Sequence, residues 1–255
     1  MGDGFDYDCV RTMFAVSEGV FSPCPSTCFS RYDEDRSEVT RKRMAPDDYY
    51  DRIERWSSSA RYTREIEALL RRLDLPSDAD LLDVGCGTGT AMRLAARSGL
   101  RVVGIDISAV WERRCSVRPV VRADAARLPF SFASFDGVLL FHVLAHFIAP
   151  EICLSNIHRV LRRGGRLAIS TPNAEYIAAL KATSTAHSSY VPDPTVHRHF
   201  TAHEVKTLLS TSRFLVRHAS TFDPTPNAAA TGLPGERLFI VAERNEPGDA
   251  PDFVE

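Results

Sequence analysis

Glycines and acids cluster in the run LLDVGCGTGT, which spans residues 81–90. An apolar strand ends in Asp83, and the chain then turns through Gly85, Gly87 and Gly89 into a predicted helix. Glycine suits positions where the backbone has a positive φ or lies close to a ligand. A helix N-terminus offers unpaired N–H groups and the positive end of a dipole to an anionic group. This stretch therefore predicts a nucleotide-like ligand on the loop.

The spacing of the glycines distinguishes this loop from a dinucleotide site. A dinucleotide fingerprint reads G-x-G-x-x-G, whereas this chain reads G-x-G-x-G. Asp83 stands two residues before the first glycine, where a carboxylate would repel a pyrophosphate but would suit an ammonium group. S-adenosylmethionine has both an ammonium and a carboxylate. Its carboxylate matches the helix N-terminus and its ammonium matches Asp83, directly or through water.

A further acid ends the next predicted strand. Asp106 closes the run RVVGID, 21 residues after Gly85, and Ile107 follows it. A carboxylate at this strand end can accept hydrogen bonds from both hydroxyls of a ribose. The alternative is that Asp106 caps the next helix, because Asp is also favoured at that position.

The chain resembles the class I S-adenosylmethionine-dependent methyltransferases over roughly residues 49–244. The glycine loop is followed in order by VVRADAARLPFSFASFDGVLLFHVLAHF, LRRGGRLAISTPN and HRHFTAHEVKTLL. The resemblance implies that Asp124 and Ala125 meet the adenine, although Asp124 could instead cap the following turn. It also implies that Phe141 and His142 stand near the methionine arm of the cofactor. The predicted cofactor-binding residues are Asp83, Gly85, Cys86, Gly87, Gly89, Asp106, Ile107, Asp124, Ala125, Phe141 and His142.

Within that class, the run LLFHVLAHF is most similar to the ubiquinone-biosynthesis O-methyltransferases. Their E-V-L-E-H pattern ends at the position of His146. They carry Glu where this chain has His142 and Ala145, and those acids have been linked to a divalent metal. Because this chain departs from the pattern at both positions, we predict no metal site.

A hydroxyl acceptor must lose its proton during methyl transfer, and histidine is the usual base near neutral pH. The rest of the acceleration should come from proximity and orientation. The candidates are His142, His146, His197 and His199, and each could instead be a structural histidine. We predict His142, with His146 second, as catalytic residues, because His142 follows a strand end beside the expected methyl position.

The surrounding pattern alternates strands and helices and predicts an α/β, doubly wound sheet. The resemblance adds that the sheet is Rossmann-like, with seven strands, mostly parallel, and an antiparallel last strand. A helical pattern spans residues 47–75, and residues 176–194 are the predicted substrate lid. The predicted strands are Asp80–Val84, Arg101–Asp106, Val120–Arg122, Gly137–Phe141, Arg166–Thr171, Phe214–Ala219 and Arg237–Ala242.

Composition limits the classes of function. The 255 residues carry a formal net charge of −2, with 44% hydrophobic and 25% charged residues, as in ordinary globular proteins. We find no basic stripe for nucleic acid, no apolar run that could span a membrane and no secretory signal. We therefore expect a cytoplasmic monomer or homodimer that methylates a small-molecule acceptor. The alternatives are methylation of protein or nucleic acid, and S-adenosylmethionine binding without catalysis.

The chain is predicted to contain one domain with two flexible ends. Residues 1–43 mix Ser, Pro, Cys and charged residues without a sustained period, which predicts a flexible N-terminal arm. Residues 44–244 form the predicted methyltransferase domain, and residues 245–255 form a flexible C-terminal tail.

Overall fold

The computed structural model describes residues 49–182, 193, 195–223 and 234–245. The chain divides into two units, residues 1–50 and residues 51–255. The predicted arm over residues 1–43, residues 246–255 of the predicted tail and most of the predicted lid beyond residue 182 lie outside the described residues.

Seven strands form one sheet in the order β3-β2-β1-β4-β5-β7-β6. They are β1 Asp80–Val84, β2 Arg101–Asp106, β3 Val120–Arg122, β4 Phe135–Phe141, β5 Leu161–Pro172, β6 Phe214–Phe222 and β7 Arg237–Arg244. Neighbours from β3 to β5 are parallel, and β7 is antiparallel to both β5 and β6. The predicted α/β sheet with an antiparallel last strand is confirmed. The predicted bounds of β1, β2 and β3 also match, while the four later strands are longer than predicted.

The helices connect these strands and precede the sheet. They are α1 Tyr49–Ser57, α2 Ala60–Leu73, α3 Thr90–Arg97, α4 Ala109–Arg114, α5 Pro150–Val160, α6 Ala174–Ala182 and α7 Ala202–Thr211. Two short 3₁₀ turns follow β3 and β4, at Ala125–Arg127 and Leu144–His146. Within the described ranges, no helix is long and apolar enough to cross a membrane.

The helical pattern predicted over residues 47–75 is two helices rather than one. The break falls in a run of serines, where Ser59 accepts a hydrogen bond from the backbone N–H of Tyr62 and caps α2. Serine favours such caps because its hydroxyl satisfies an N–H that has no partner inside the helix. The break lets α2 place its own face on the sheet, with Ile66 and Leu69 fully buried.

The order of the strands brings the predicted site residues to one edge of the sheet. Strand β1 lies between β2 and β4, and all three run in the same direction. Asp83 lies near the end of β1, Asp106 ends β2, Asp124 follows β3 and His142 follows β4. The crevice outside the carboxyl ends of parallel strands is where α/β sheets of this kind bind ligands.

Candidate functional site

The glycine loop is shaped by backbone that only glycine adopts without strain. Gly85 and Gly89 have φ values of +71° and +79°, and Gly89 is the N-cap of α3. A Cβ atom at Gly85 would lie 2.6 Å from Cγ2 of Val143, and one at Gly89 would lie 2.5 Å from Sγ of Cys115. Both positions therefore require glycine for conformation and for space. Between them, Cys86 is 6% exposed and packs into the core.

Asp83 is a buried carboxylate beside this loop. Its residue surface is 1% exposed, and its Oδ2 atom has no hydrogen-bond partner among the described residues. Burial, with smaller contributions from Cys115 and Asp106, raises the pKa of Asp83 well above its usual range. A buried acceptor without a partner is costly, and a cationic group would supply the missing donor and the missing charge. The site therefore fits the ammonium group of an amino acid.

Asp106 joins the end of β2 to the glycine loop. Its Oδ2 accepts the backbone N–H of Gly87 at 3.0 Å, and its Oδ1 accepts that of Ser108 at 2.9 Å. The N-cap of α4 is Ser108, so Asp106 is not the cap that we considered as its alternative role. Burial raises the pKa of Asp106, against the hydrogen bonds from both N–H groups. The next residue, Ile107, is 61% exposed beside it.

Asp124 does cap the turn that follows β3. Its Oδ1 accepts the backbone N–H of Ala126 at 2.8 Å and begins the 3₁₀ turn over Ala125–Arg127. Ala125 is 8% exposed. The capping role is thus present, and a carboxylate can accept several hydrogen bonds at once. Contact with an adenine stays a prediction.

His142 occupies an unusual backbone conformation directly after β4. Its φ is +58°, a left-handed value that non-glycine residues adopt rarely and that often marks functional positions. Three aromatic rings surround its imidazole, at centroid distances of 4.5 Å for Phe141, 5.1 Å for Trp56 and 6.3 Å for Tyr62. The approach of Trp56 brings a side chain of α1 to the site.

Sequence reasoning missed Glu65, the acid that faces His142. Glu65 is 1% exposed on α2, and its Oε1 lies 2.6 Å from Nε2 of His142. The hydroxyl of Ser170 donates to the same oxygen at 2.6 Å. The sequence did contain an indication of its role, because Glu65 lies on the apolar face of the helix between Tyr62 and Leu69. A charged residue is rarely buried on such a face unless it has a partner.

The charge of Glu65 is part of a chain of alternating charges. Nε of Arg237 lies 3.6 Å from Oε1 of Glu65, and Nη1 of Arg237 lies 2.9 Å from Oε1 of Glu236. Arg61 pairs with the same Glu236 oxygen. Burial alone would raise the pKa of Glu65, but His142, Arg237 and Ser170 together lower it. Glu65 is therefore ionised at neutral pH.

His142 is neutral under the same conditions. Burial lowers the pKa of His142, and Arg237 and His146 lower it further, while Glu65 opposes them. A neutral imidazole retains one nitrogen that can accept a proton, which a base requires.

The other candidate histidines lie beyond this cluster. Nδ1 of His146 lies 2.9 Å from Oγ1 of Thr195, so His146 has a hydrogen-bonding role of its own. The backbone of His197 donates to the carbonyl of Ala145 at 2.9 Å, and the His197 side chain is exposed. Burial lowers the pKa of His199, with Lys181 and His146 adding to the effect. Across the part of the chain that the structure describes, no group of histidine, cysteine and acidic side chains is arranged to hold a metal ion.

The chain is similar to known methyltransferases in sequence and in fold. Residues 82–169 match a family model described as a methyltransferase domain. The O-methyltransferase resE of Aspergillus sclerotiorum is 37% identical over 139 residues, covering 48% of this chain and 52% of that protein. The demethylmenaquinone methyltransferase of Corynebacterium urealyticum is 37% identical over 107 residues, covering 40% and 46%.

A solved structure extends the likeness over most of the chain. Burkholderia thailandensis 1,6-didemethyltoxoflavin-N1-methyltransferase, solved with 1,6-didemethyltoxoflavin and S-adenosylhomocysteine bound, superposes with a TM-score of 0.57 and 24% identity. The match covers 91% of this chain and 94% of that one and shows a common fold.

The family model and the relatives support the resemblance to the class I S-adenosylmethionine-dependent methyltransferases that the sequence predicted. It spans about half the length of the curated relatives that it matches.

Proposed function

We propose that the protein transfers the methyl group of S-adenosylmethionine to a hydroxyl oxygen of a small aromatic or conjugated acceptor. The observation that carries this proposal is the placement of two groups at adjacent strand ends. Asp83, whose buried Oδ2 atom has no hydrogen-bond partner within the described ranges, lies on β1. His142, neutral and surrounded by aromatic side chains, follows β4. One group suits a cationic cofactor and the other suits an acceptor that must lose a proton.

The cofactor-binding residues are those of the glycine loop and the acids around it. Asp83 would bind the ammonium, and the N–H groups from Gly85 to Gly89 with the N-terminus of α3 would bind the carboxylate. Asp106 would accept the ribose hydroxyls, while Ile107, Asp124 and Ala125 would meet the adenine. Phe141 and Cys86 would line the methionine arm. When bound, S-adenosylmethionine supplies a methyl group already activated by its sulfonium.

The acceptor would lie against His142. The rings of Trp56, Tyr62 and Phe141 approach the imidazole from several sides and favour a flat, apolar partner. His142 would remove the hydroxyl proton, and the surrounding rings would keep water away from it. His146 is a second candidate, because it is close enough to affect the pKa of both His142 and Asp106.

The relatives support this choice of chemistry. Several are named O-methyltransferases, and the Burkholderia thailandensis neighbour is described with S-adenosylhomocysteine and a small heterocycle bound. We also propose that the protein acts in the cytoplasm. In the described part of the chain, Cys86 and Cys115 are free, buried thiols, which suits a reducing compartment.

A turnover assay tests the proposal. The full chain is incubated with methyl-labelled S-adenosylmethionine and separate pools of phenols and quinols, amines, a protein mixture and a transfer RNA mixture. We expect labelled O-methyl products from the first pool, each matched by one S-adenosylhomocysteine. Label that enters only protein or RNA would contradict the proposal, as would tight cofactor binding with no transfer to any pool.

The role of His142 needs a variant that tolerates its backbone. Asparagine suits left-handed backbone, so His142→Asn removes the base with little added strain. Loss of a general base should lower kcat by about 10²–10⁴-fold with cofactor binding retained. His203→Asn, at an exposed position on α7, is the matched control and should leave the rate unchanged. Full turnover in His142→Asn would remove His142 from the mechanism.

A further inference from the structure

We propose that Glu65 is the positioning residue that makes His142 a base. Glu65 holds the proton of the neutral imidazole on Nε2, so that Nδ1 is the atom that takes the proton from the acceptor hydroxyl. This inference rests on the proposed function, because it assigns the base of the same reaction.

The contacts of Glu65 carry the argument. Its Oε1 lies 2.6 Å from Nε2 of His142, and this carboxylate is buried to 99% with Ser170 donating to the same oxygen. The N–H direction at Nε2 departs from hydrogen-bond geometry with that oxygen, so the contact is a close electrostatic approach. A carboxylate at this distance favours the tautomer with its proton on Nε2.

Titratable or charged groups from three elements, β7, the turn after β4 and α2, surround the pair. Arg237 on β7 lies 3.6 Å from Glu65 and balances its charge. His146, in the turn after β4, lowers the pKa of His142, and Tyr62 on α2 stacks on the imidazole. Burial raises the pKa of the Tyr62 phenol, with Asp83 and Glu65 adding to the effect, so Tyr62 stays neutral. Among the residues that the structure describes, Glu65 is thus the anion in direct contact with His142.

Glu65 stabilises a charge that forms on His142 during the reaction. The acceptor oxygen forms a bond to the methyl carbon as the bond from sulfur to that carbon breaks, and its proton moves to Nδ1 of His142. The sulfonium becomes a neutral thioether, and the imidazole becomes an imidazolium. The carboxylate of Glu65 stabilises that new positive charge, and the proton later leaves to solvent.

Two substitutions should move the pH profile of kcat in opposite directions. Glu65→Gln keeps the shape but removes the anion that raises the pKa of His142, so the acidic limb should shift to lower pH. The plateau of kcat should fall by about tenfold, a smaller loss than the roughly 10²–10⁴-fold loss expected when the base itself is removed. Arg237→Gln removes a cation that lowers the same pKa, so its acidic limb should shift to higher pH. Glu65→Asp retains the anion and should restore much of the plateau.

A nitrogen-15 NMR titration of the histidine side chains tests the inference without turnover. His142→Asn assigns the resonances in the full chain. In the wild type we expect the neutral ring of His142 to carry its proton on Nε2. Glu65→Gln should lose that preference and should titrate at lower pH. If Glu65→Gln fails to fold, two results still test the inference: the tautomer of His142 in the wild type, and the change in the pKa of His142 in Arg237→Gln.

The outcomes separate the two proposals. A proton on Nδ1 in the neutral wild-type ring, or an unchanged His142 titration in Glu65→Gln, would overturn the role of Glu65 whatever the enzyme methylates. The expected tautomer with no methyl transfer to any acceptor would overturn the proposed function and leave the control of His142 by Glu65 in place. A lower kcat with an unmoved acidic limb would reduce Glu65 to a structural residue.

Discussion

Replacing Asp83 with asparagine should stabilise the protein without ligand and weaken its binding of adenosyl ligands. The two effects have one cause. Asp83 is 1% exposed, and within the described residues its Oδ2 atom accepts no hydrogen bond. Asparagine has nearly the same shape and no charge to bury, but it lacks the negative charge that would attract an ammonium group.

The size of each effect follows from the contact. A buried acceptor without a partner costs about 1–3 kcal/mol. Because the new amide is also desolvated, we expect a net gain near the lower bound, about 1 kcal/mol. For a domain of this size that raises Tm by about 2–4 °C. Losing a hydrogen bond between charged groups costs about 1.5–3 kcal/mol, or roughly 10–150-fold in Kd.

The stabilisation should depend on pH. The ordinary pKa of this carboxyl is 3.8, and the folded protein raises it well above that value. The folded state therefore holds a proton that the unfolded chain releases, so stability falls as pH rises from 3.8 through the folded-state pKa. The advantage of Asp83→Asn should be absent below this window, grow across it and stay constant above it.

Thermal unfolding and calorimetric titration with S-adenosylhomocysteine measure both effects. Asp80, at the other end of β1, is the matched control, because Nε of Arg101 and Nη2 of Arg162 donate to it at 2.8 and 2.9 Å. Burial would raise the pKa of Asp80, but these hydrogen bonds lower it. Asp80→Asn should cost about 1 kcal/mol, because both arginines are partly exposed, and should leave binding unchanged. A less stable Asp83→Asn with unchanged affinity would refute the reasoning.

Two further pairs of substitutions test the glycine loop and a helix cap. Gly89→Ala should cost about 2–4 kcal/mol and weaken binding of S-adenosylhomocysteine more than tenfold, because it adds left-handed strain and a clash with Cys115. The control is Gly164→Ala, at φ +70°, where no described atom lies within 4 Å of the new Cβ. It should cost about 1–2 kcal/mol of stability and leave binding unchanged. If both variants lost the same stability, the clash with Cys115 would not be the cause. Thr201→Ala breaks the capping box with Glu204 and should cost about 1 kcal/mol of stability, measured by thermal unfolding. Thr201→Ser keeps the hydroxyl and should cost only a few tenths of a kcal/mol. An equal loss in both variants would contradict capping by the hydroxyl.

The parallel half of the sheet was predictable because its strands are apolar and buried, and because residues typical of strand ends flank them. The predicted bounds of β1, β2 and β3 match the structure, since an acid, a glycine or a proline lies near their ends. Strand β5 begins earlier than predicted, at Leu161, because Phe135 pairs with it before a register shift in β4. Gly164 and Gly165 signal a turn in the sequence, yet β5 continues through both.

The candidate site was predictable only where a motif spans a short stretch. Asp83, the glycines and Asp106 lie within one strand–loop–helix–strand segment, so their spacing places them together. Glu65 and Arg237 come from helix α2 and strand β7, far apart in the chain, and only the completed sheet brings them to His142. The sequence shows that Glu65 lies on the apolar face of a helix, but it does not show which residue pairs with it. The left-handed backbone of His142 had no sequence signal at all.

Calorimetric titration of the full chain with S-adenosylhomocysteine, S-adenosylmethionine and NAD, alongside Asp106→Ala, tests the central claim most directly. We predict micromolar-range binding of both adenosyl ligands, no binding of NAD, and loss of adenosyl binding in Asp106→Ala. Binding of NAD in preference to S-adenosylmethionine, or adenosyl binding unaffected by Asp106→Ala, would contradict the account.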